Sequence, residues 1–558
     1  MDLFSQTRHL LAITIPLGPN LVLLTGLHGR EALSELFRFE LELRVPRPLQ
    51  IPFDKLLGQC CSIRMSLTNG LSRQIHGMVS SLSVGRQDDS FTQYRAELVP
   101  RPWLLQRRRG HRTFQQQTVP EIVASLLDGF DVSFELTADY PRRNFTVQYG
   151  ESDFEFLSRL AEEEGIGYFF RFEQDRHEMV FFDHSPNLAD LPEPATIVFD
   201  DVTEGVRDGV RIAQWEKTQS ICSSTVTLWD HSFQLPDQNL EAAHNVPATV
   251  DVGVTEHRLP GSEEQLEIYE YPGGYARWFD GVDPGGTARP DDPPRNFEQN
   301  ERIAAIRLQE QAGAGLELAG SSDCIHFVPG RKFSVTRHFH AEGKYLLGSV
   351  EHEARLQLGY RSSDAPPTLE YTNRFTCLPD QWTYRPARRT PRPRIDGVQT
   401  ATVVGPEDGE LFVDQYGRVK VQFHWDRVGE RNGDSSCWIR VAQIWAGPNW
   451  GAFFWPRIGH EVVVAFVDGD PDRPLIVGSV YNARNMPPLD LPEGKETAGI
   501  KSKIFGGDPS TNFNSVLFHD AQGQEFLHLH SETHEMSNSE VNKYHYVPQG
   551  NYEFRGSF

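Results

Sequence analysis

The chain is poor in cysteine, in long apolar runs and in clustered positive charge, and each shortage narrows what it can do. Its six thiols, Cys60, Cys61, Cys222, Cys324, Cys377 and Cys437, include no C-x-x-C pair. Adjacent Cys60 and Cys61 are a poor frame for a disulfide, so the pattern fits a chain folded in a reducing cytoplasm. No segment approaches the roughly 20 apolar residues of a membrane-spanning helix. The apolar run at 10–17 lacks a basic leader and a small-residue cleavage site, which makes it a first strand and not a signal peptide. Export would then need another route. Lys and Arg number 54 against 77 Asp and Glu, a formal net charge of -23. Binding a phosphate backbone needs clustered cations, so nucleic acid is set aside as a partner. The one basic run, Arg107-Arg108-Arg109, is expected to be a solvated turn in an acidic field.

Catalytic patterns are missing as well. There is no Gly-x-Ser-x-Gly elbow, no phosphate-binding glycine loop ending in Lys-Ser/Thr, and no His-Glu-x-x-His helix. His534-Glu535 lacks the second metal histidine. His528 and His530, with His519, His534 and His545, form the nearest metal-like group. Alternate residues on a strand share a face, so His528 and His530 could ligate jointly, but a polar strand explains them without metal. Asp468, Asp470 and Asp472 have the spacing of a calcium loop, yet Arg473 stands where that loop needs glycine and its distal Glu is missing. A tight turn with an Arg473 ion pair is expected instead. Glu162-Glu163-Glu164 point around a helix and are expected to be its solvated last turn, not an acid-base pair. No catalytic residue, cofactor site or metal site is assigned.

What is present is mostly strand. At 558 residues the chain is too long for one core, so three or four domains are expected. An apolar content of 38% and a mean hydropathy of -0.47 point to β-structure with one face in water, or to extended parts. Strands are expected at 37–45, 77–84 and 94–99, then at 210–215 and 225–229. Two helices announce themselves by capping boxes. Thr118 caps one, with Pro120 in its first turn and Glu121 reaching back, and it runs to residue 127. Ser152 caps the other with Glu155, and Gly165 ends it. Its apolar face is expected to hold Phe154, Leu157, Leu160 and Ala161. Residues 280–296, rich in Pro, Gly and Asp, predict a long surface loop, followed by a polar helix at 297–312. A further β-rich unit runs from 327 to about 376. The Pro- and Arg-dense stretch 384–394 predicts an extended connector.

Between residues 415 and 482 lies the organising stretch. Val419, Val421, Phe423 and Trp425 alternate with Lys420, Gln422 and His424, the period of a strand with one buried face. Three more short apolar runs, at 437–441, 461–467 and 475–480, suggest a small β-barrel. Trp425, Trp438, Trp445, Trp450 and Trp455 could serve a single-strand-binding groove, but the acidic balance opposes it. After a Pro-rich link, residues 500–558 alternate polar and apolar groups too sparsely for a core of their own. Such strands gain one by stacking or by intertwining with copies of themselves. The last residues stop without a closing signal, so the chain is expected to end inside a longer repeat.

The motifs Tyr416-Gly417-Arg418-Val419-Lys420-Val421-Gln422-Phe423-His424-Trp425, Cys437-Trp438-Ile439-Arg440-Val441, Pro456-Arg457-Ile458-Gly459 and Gly469-Asp470-Pro471-Asp472-Arg473-Pro474 resemble the core of VgrG, the spike family of bacterial type VI secretion. Gly58, residues 162–170 and Tyr271-Pro272-Gly273 look like that family's hub, and Gly499-Ile500-Lys501-Ser502 like its entry into the spike. The resemblance covers nearly the whole chain. It implies a mainly β protein with a few short helices: a tandem-barrel hub at 1–380, a linker at 381–394, an OB-fold neck at 395–482, a Pro-rich link at 483–499 and the start of an intertwined trimeric β-helix at 500–558. It further implies a non-enzymatic homotrimer seated on a hexameric Hcp tube and carrying a PAAR-repeat cap or effectors. Such a trimer punctures a target membrane after export by the type VI machinery. A hub-spike protein of another contractile tail, or a spike with an attached cell-wall hydrolase, are the alternatives, although the link of about twenty residues is too short for a hydrolase domain.

Overall fold

The computed structural model describes residues 6, 9–18, 21–67, 70–201, 209–245, 249–252, 255–258, 266–357, 368–550 and 553. The tail of the expected spike run, residues 551–552 and 554–558, and parts of the strand-rich 197–260 region therefore lie outside the described residues.

Twelve strands form one hub sheet that folds into two lobes. In the first lobe, Leu11–Thr14, Cys60–Ser66, Ser72–Gln87, Phe91–Val99, Arg38–Pro46 and Leu23–Ala32 follow one another antiparallel. Arg38–Pro46 shows the expected alternation, with Phe39, Leu41, Leu43 and Val45 buried. A side chain spans the gap between the two outer strands. Gln6, 5% exposed, accepts from the Ile13 and Leu24 amides and donates to the Ile13 and Val22 carbonyls. One amide group thus satisfies backbone groups on both strand edges.

The second lobe closes by backbone pairing. Gly343–Gln357 pairs with Lys332–Thr336, and the order continues through Thr196–Phe199, Arg211–Gln219 and Leu316–Ser322 to Thr368–Pro379. That last strand pairs back onto Gly343–Gln357, making a ring of six. Phe327, Phe333, Tyr345 and Phe375 fill it. Pairing of Leu23–Ala32 with Gly343–Gln357 fuses the lobes.

Both capping boxes are present. Thr118 and Glu121 start the helix Val119–Leu126, and Ser152 and Glu155 start Asp153–Glu164. On the second helix, Phe156 joins Leu157, Leu160 and Ala161 as fully buried, while Phe154 is only partly covered. The polar helix spans Asn296–Ala314 and packs on a three-stranded sheet formed by Thr225–Asp230, Leu240–Asn245 and Glu267–Glu270.

The neck is a five-stranded sheet of Gln399–Val404, Lys420–Phe423, Arg440–Val441, Glu461–Phe466 and Pro474–Val480. Here the expected half-wet strand is wrong. Lys420 is 1% and Gln422 5% exposed, because the loop at 426–436 folds over that face. Lys420 Nζ donates to the Gly433 carbonyl at 2.5 Å, and Gln422 bonds the backbone of Asp426 and Arg431. Only His424 remains in water.

Candidate functional site

Two features could carry function: the seam between hub and neck, and the spike sheet beyond it. The seam begins with a two-stranded ribbon, Arg109–Gln117 paired with Arg143–Ser152. From this hub ribbon, Phe145 and Val147 enter the neck's own core beside Val403, Val421, Phe423 and Val464. Burying side chains of this size is worth about 1.5–3 kcal/mol each, so hub and neck are coupled through shared core.

Charges reinforce that coupling, and they overturn the solvated-turn expectation for Glu162-Glu163-Glu164. Glu163 is 5% and Glu164 1% exposed. Arg143, itself fully buried, sets one guanidinium nitrogen 2.7 Å from Glu163 and the other 2.6 Å from Glu164, and lies 4.6 Å from the Trp278 ring. Arg392 from the connector reaches Glu163 at 2.8 Å, and Arg302 from the polar helix pairs with Glu164. Arg159 grips Glu151 through two oxygens and donates to the Val147 carbonyl. Burial opposes ionisation of Glu163, yet Arg392, Arg143 and Arg159 outweigh it and hold the carboxyl far below its ordinary range. Glu164 is likewise lowered, burial being outweighed by Arg302 and Arg143. Glu162 is raised by burial, although Thr390 donates to it through backbone and hydroxyl.

The end of the same helix is closed by cations from two directions. Gly165 takes the left-handed conformation at φ 69°. Arg307 donates to the Glu162 and Glu163 carbonyls, and Arg385 to the Gly165 carbonyl. Unpaired carbonyls and the negative end of the helix dipole favour cations there. The Pro- and Arg-dense connector is therefore extended as expected but is strapped down. Arg388 pairs with Glu270 and Glu310, and Arg389 with Glu35.

Asp468, Asp470 and Asp472 divide their duties. Asp468 takes Arg473 at 3.2 Å, as the turn predicts. Asp470 and Asp472 instead receive Arg277 of the hub at 2.5 and 3.1 Å, and Asp472 accepts the Val147 amide at 2.6 Å. Burial raises the Asp472 carboxyl against the pull of Arg277, and the Asp470 charge adds to the rise. Asp470 is lowered: burial works against it, but Arg277 and Arg392 prevail. The expected surface loop at 280–296 also belongs to the seam. Asp280 makes a two-pronged bridge to buried Arg418 at 2.7 and 3.0 Å, and the Asp283 carbonyl accepts Trp438 Nε1. Arg107, Arg108 and Arg109 are exposed, with Arg108 on Asp153 and Arg109 near Glu155.

One buried polar group has the look of a catalytic relay. His352 Nδ1 meets the Tyr371 hydroxyl at 2.8 Å, its Nε2 meets Glu31 at 3.0 Å, and Glu31 meets Arg73 at 2.5 Å. The imidazole is 0% exposed and presents no face to a substrate. It ties the two hub lobes together across Leu23–Ala32 and Gly343–Gln357.

The spike begins with Thr497–Lys501, Ser515–His519 and Phe526–His530 as an antiparallel sheet. Its register makes two faces. Ile500, Val516 and Leu529 lie in one row and Ala498, Phe518 and Leu527 in the next, so one face is wholly apolar. It is uncovered: Ile500 is 56%, Phe518 49% and Leu527 60% exposed. The histidines fall on the opposite face, where His528 and His530 rings stand 6.1 Å apart and His519 bonds Thr497. Among the described residues no three His, Cys, Asp or Glu side chains converge as a metal group would require.

Comparison with known proteins places these features in a family. The phage tail baseplate hub (GPD) family matches residues 30–358, and the type VI secretion system/phage-baseplate injector OB domain matches residues 400–481. The type VI secretion system spike protein VgrG1a of Pseudomonas aeruginosa is 36% identical over 530 residues, 94% of this chain and 78% of its own. VgrG1b of the same organism is 36% identical over 550 residues, 98% and 70% respectively. The actin cross-linking toxin VgrG1 of Vibrio cholerae is 33% identical over 91% of this chain, which spans 44% of that protein. The fold is shared with the E. coli c3393 protein, a type VI component described as similar to T4 phage tail proteins gp27 and gp5 (TM-score 0.56, 22% identity, 84% of this chain and 99% of that one). It is shared too with a chain of the lidded Francisella PdpA-VgrG complex (TM-score 0.54, 9% identity, 91% and 76%). A tandem-barrel hub, an OB-fold neck and an attached spike sheet, with relatives matched over nearly the whole chain, make this protein a member of the VgrG family of type VI secretion spike proteins.

Proposed function

We propose that the chain works as one third of a homotrimeric spike, with the hub seated on an Hcp tube and the neck passing three chains into a needle that carries a cap or effectors and punctures a target membrane. The observation that carries this reading is the uncovered apolar face of the spike sheet. One chain leaves Ile500, Val516, Phe518, Leu527 and Leu529 in water. Three copies with these faces turned to a common axis would bury them and leave no free sheet edge. The histidine face, which also carries Leu517 and Phe526, then points outward, so His528 and His530 of three copies do not meet on the axis as a metal site there would need. The domain limits proposed for this assembly are 1–380, 381–394, 395–482, 483–499 and 500–558, and its role is mechanical, not catalytic. The buried seam suits it: force on the needle passes to the hub through shared core and paired charge, not through a free linker. Export by the type VI machinery follows from the same reading. Light scattering on the purified chain should give a trimer at micromolar concentration that co-sediments with Hcp rings. A monomer would refute the reading, and capture by a phage tail tube in place of Hcp would assign it to another contractile machine.

A further inference from the structure

Two histidines meet beside the core of the first hub lobe. His76, on the strand Ser72–Gln87, and His177, at the start of the strand His177–Phe182, are both buried. Their Nδ1 atoms stand 2.9 Å apart. His177 Nε2 accepts the Arg101 amide at 2.9 Å, at the start of the short 3-10 helix Arg101–Arg107. Phe37 and Phe170 close the remaining sides, edge-on to the His177 ring at 5.6 and 6.2 Å.

These contacts place every ring proton. A backbone amide can only donate, so His177 Nε2 offers its lone pair and the ring proton sits on Nδ1. That proton is donated to His76 Nδ1, and His76 keeps its own on Nε2. Both rings are neutral, and neither can gain a charge at this junction without losing a bond. A proton added to His177 Nε2 would face the Arg101 N–H, and one added to His76 Nδ1 would face the His177 N–H. The surrounding charges do not lift the restriction. Asp175 and Asp131 favour a charge on His76, but burial outweighs them, Arg101 opposes them, and His76 is held below its ordinary value. Burial, then His76 and Arg101, push His177 down to about 3. The Cys60 thiol, beside Arg101 and Asp131, is pushed up by burial and adds no charge in acid.

We propose that the pair is an acid-operated latch, in which uptake of a proton parts the two rings and releases the Arg101 end of the 3-10 helix. That helix leads into the ribbon strand Arg109–Gln117, whose partner carries Phe145 and Val147 into the neck core. The latch therefore sits at the root of the coupling between hub and neck. An opened histidine returns to its ordinary value of about 6.5, so the open form binds more protons and closure weakens as pH falls below it. With the closed His177 ring near 3, opening should rise about thirtyfold from pH 7.5 to 5.0. This window lies above the unfolded glutamate value of about 4.3, so the buried glutamates of the seam contribute little to it.

Hydrogen exchange of the full chain tests the latch, read by mass spectrometry on peptides covering Arg101–Arg107 and corrected for intrinsic pH dependence. The expected result is roughly tenfold or more opening at pH 5.0 relative to 7.5, with Lys332–Thr336 of the second lobe unchanged. His177→Gln keeps an acceptor for the Arg101 amide but does not titrate, and its acid response is expected to stay under about threefold. A parent whose 101–107 segment opens equally at both pH values would overturn the latch, whether or not the variant folds. Acid opening of the same size in the second lobe, or a full response retained in His177→Gln, would likewise overturn it.

Discussion

Glu163→Gln is the sharpest probe of the seam. The carboxylate is 5% exposed and holds Arg143 at 2.7 Å, Arg392 at 2.8 Å and Arg159 at 3.8 Å. Removing its charge leaves Arg143, 2% exposed, with Glu164 as its remaining carboxylate. Breaking a buried pair from one side costs about 3–5 kcal/mol, and that loss is expected at pH 7 by urea denaturation. Arg392→Gln provides the internal comparison. Its side chain is 43% exposed and Glu163 keeps Arg143 and Arg159 as partners, so the cost should stay near 1 kcal/mol or below. The pH dependence gives a second readout. Folding lowers the carboxyls of Glu163 and Glu164, so the unfolded chain binds more protons and stability rises with pH. That contribution is complete above the unfolded glutamate value of about 4.3 and is lost as pH falls below it toward the folded values. The variant should show a shallower slope in that window. A loss under about 1 kcal/mol with an unchanged slope would refute the claim that the cluster acts as a buried ionic unit.

Gly165→Ala should destabilise by about 1–2 kcal/mol, because the position has φ 69° and a Cβ would meet Ile306 Cγ2 at 2.8 Å; thermal unfolding checks it. Ser152→Ala removes the cap of the helix that carries the three glutamates, and a loss of about 0.5–2 kcal/mol is expected in the same assay. Asp472→Asn weakens a group bonded to both Arg277 and the Val147 amide, and limited proteolysis should then cut faster between hub and neck. An unchanged cleavage rate would deny Asp472 its bridging part.

Local order was legible in the residues. Capping boxes at Thr118 and Ser152, the glycine stop at 165 and the alternation over Arg38–Pro46 are decided within a few positions, and the fold obeys them. Misreadings came where the partner is remote in sequence. Glu163 and Glu164 look solvated until Arg143, Arg302 and Arg392 arrive from three other segments. Asp280 looks like loop until Arg418 meets it, and Lys420 looks exposed until a crossing loop covers it. One signal was available: an arginine-dense connector in a chain of net charge -23 needs carboxylates, and an uninterrupted acidic run beside an apolar strand is a natural place for them. The amphipathic register of the spike sheet was half visible. Its sparse apolar residues showed that a core was missing, but only the pairing of Val516 with Leu529 and Phe518 with Leu527 shows that they share one face.

The central claim is that the spike strands gain their core from other copies of the chain. Electron cryomicroscopy of the purified full chain tests it most directly. The account predicts particles with threefold symmetry, three times 63.4 kDa in mass, with Ile500, Val516, Phe518, Leu527 and Leu529 of three chains meeting on the axis. Single copies whose Thr497–His530 sheet stands alone, or a threefold particle with the histidine face inward and the apolar face in solvent, would contradict it.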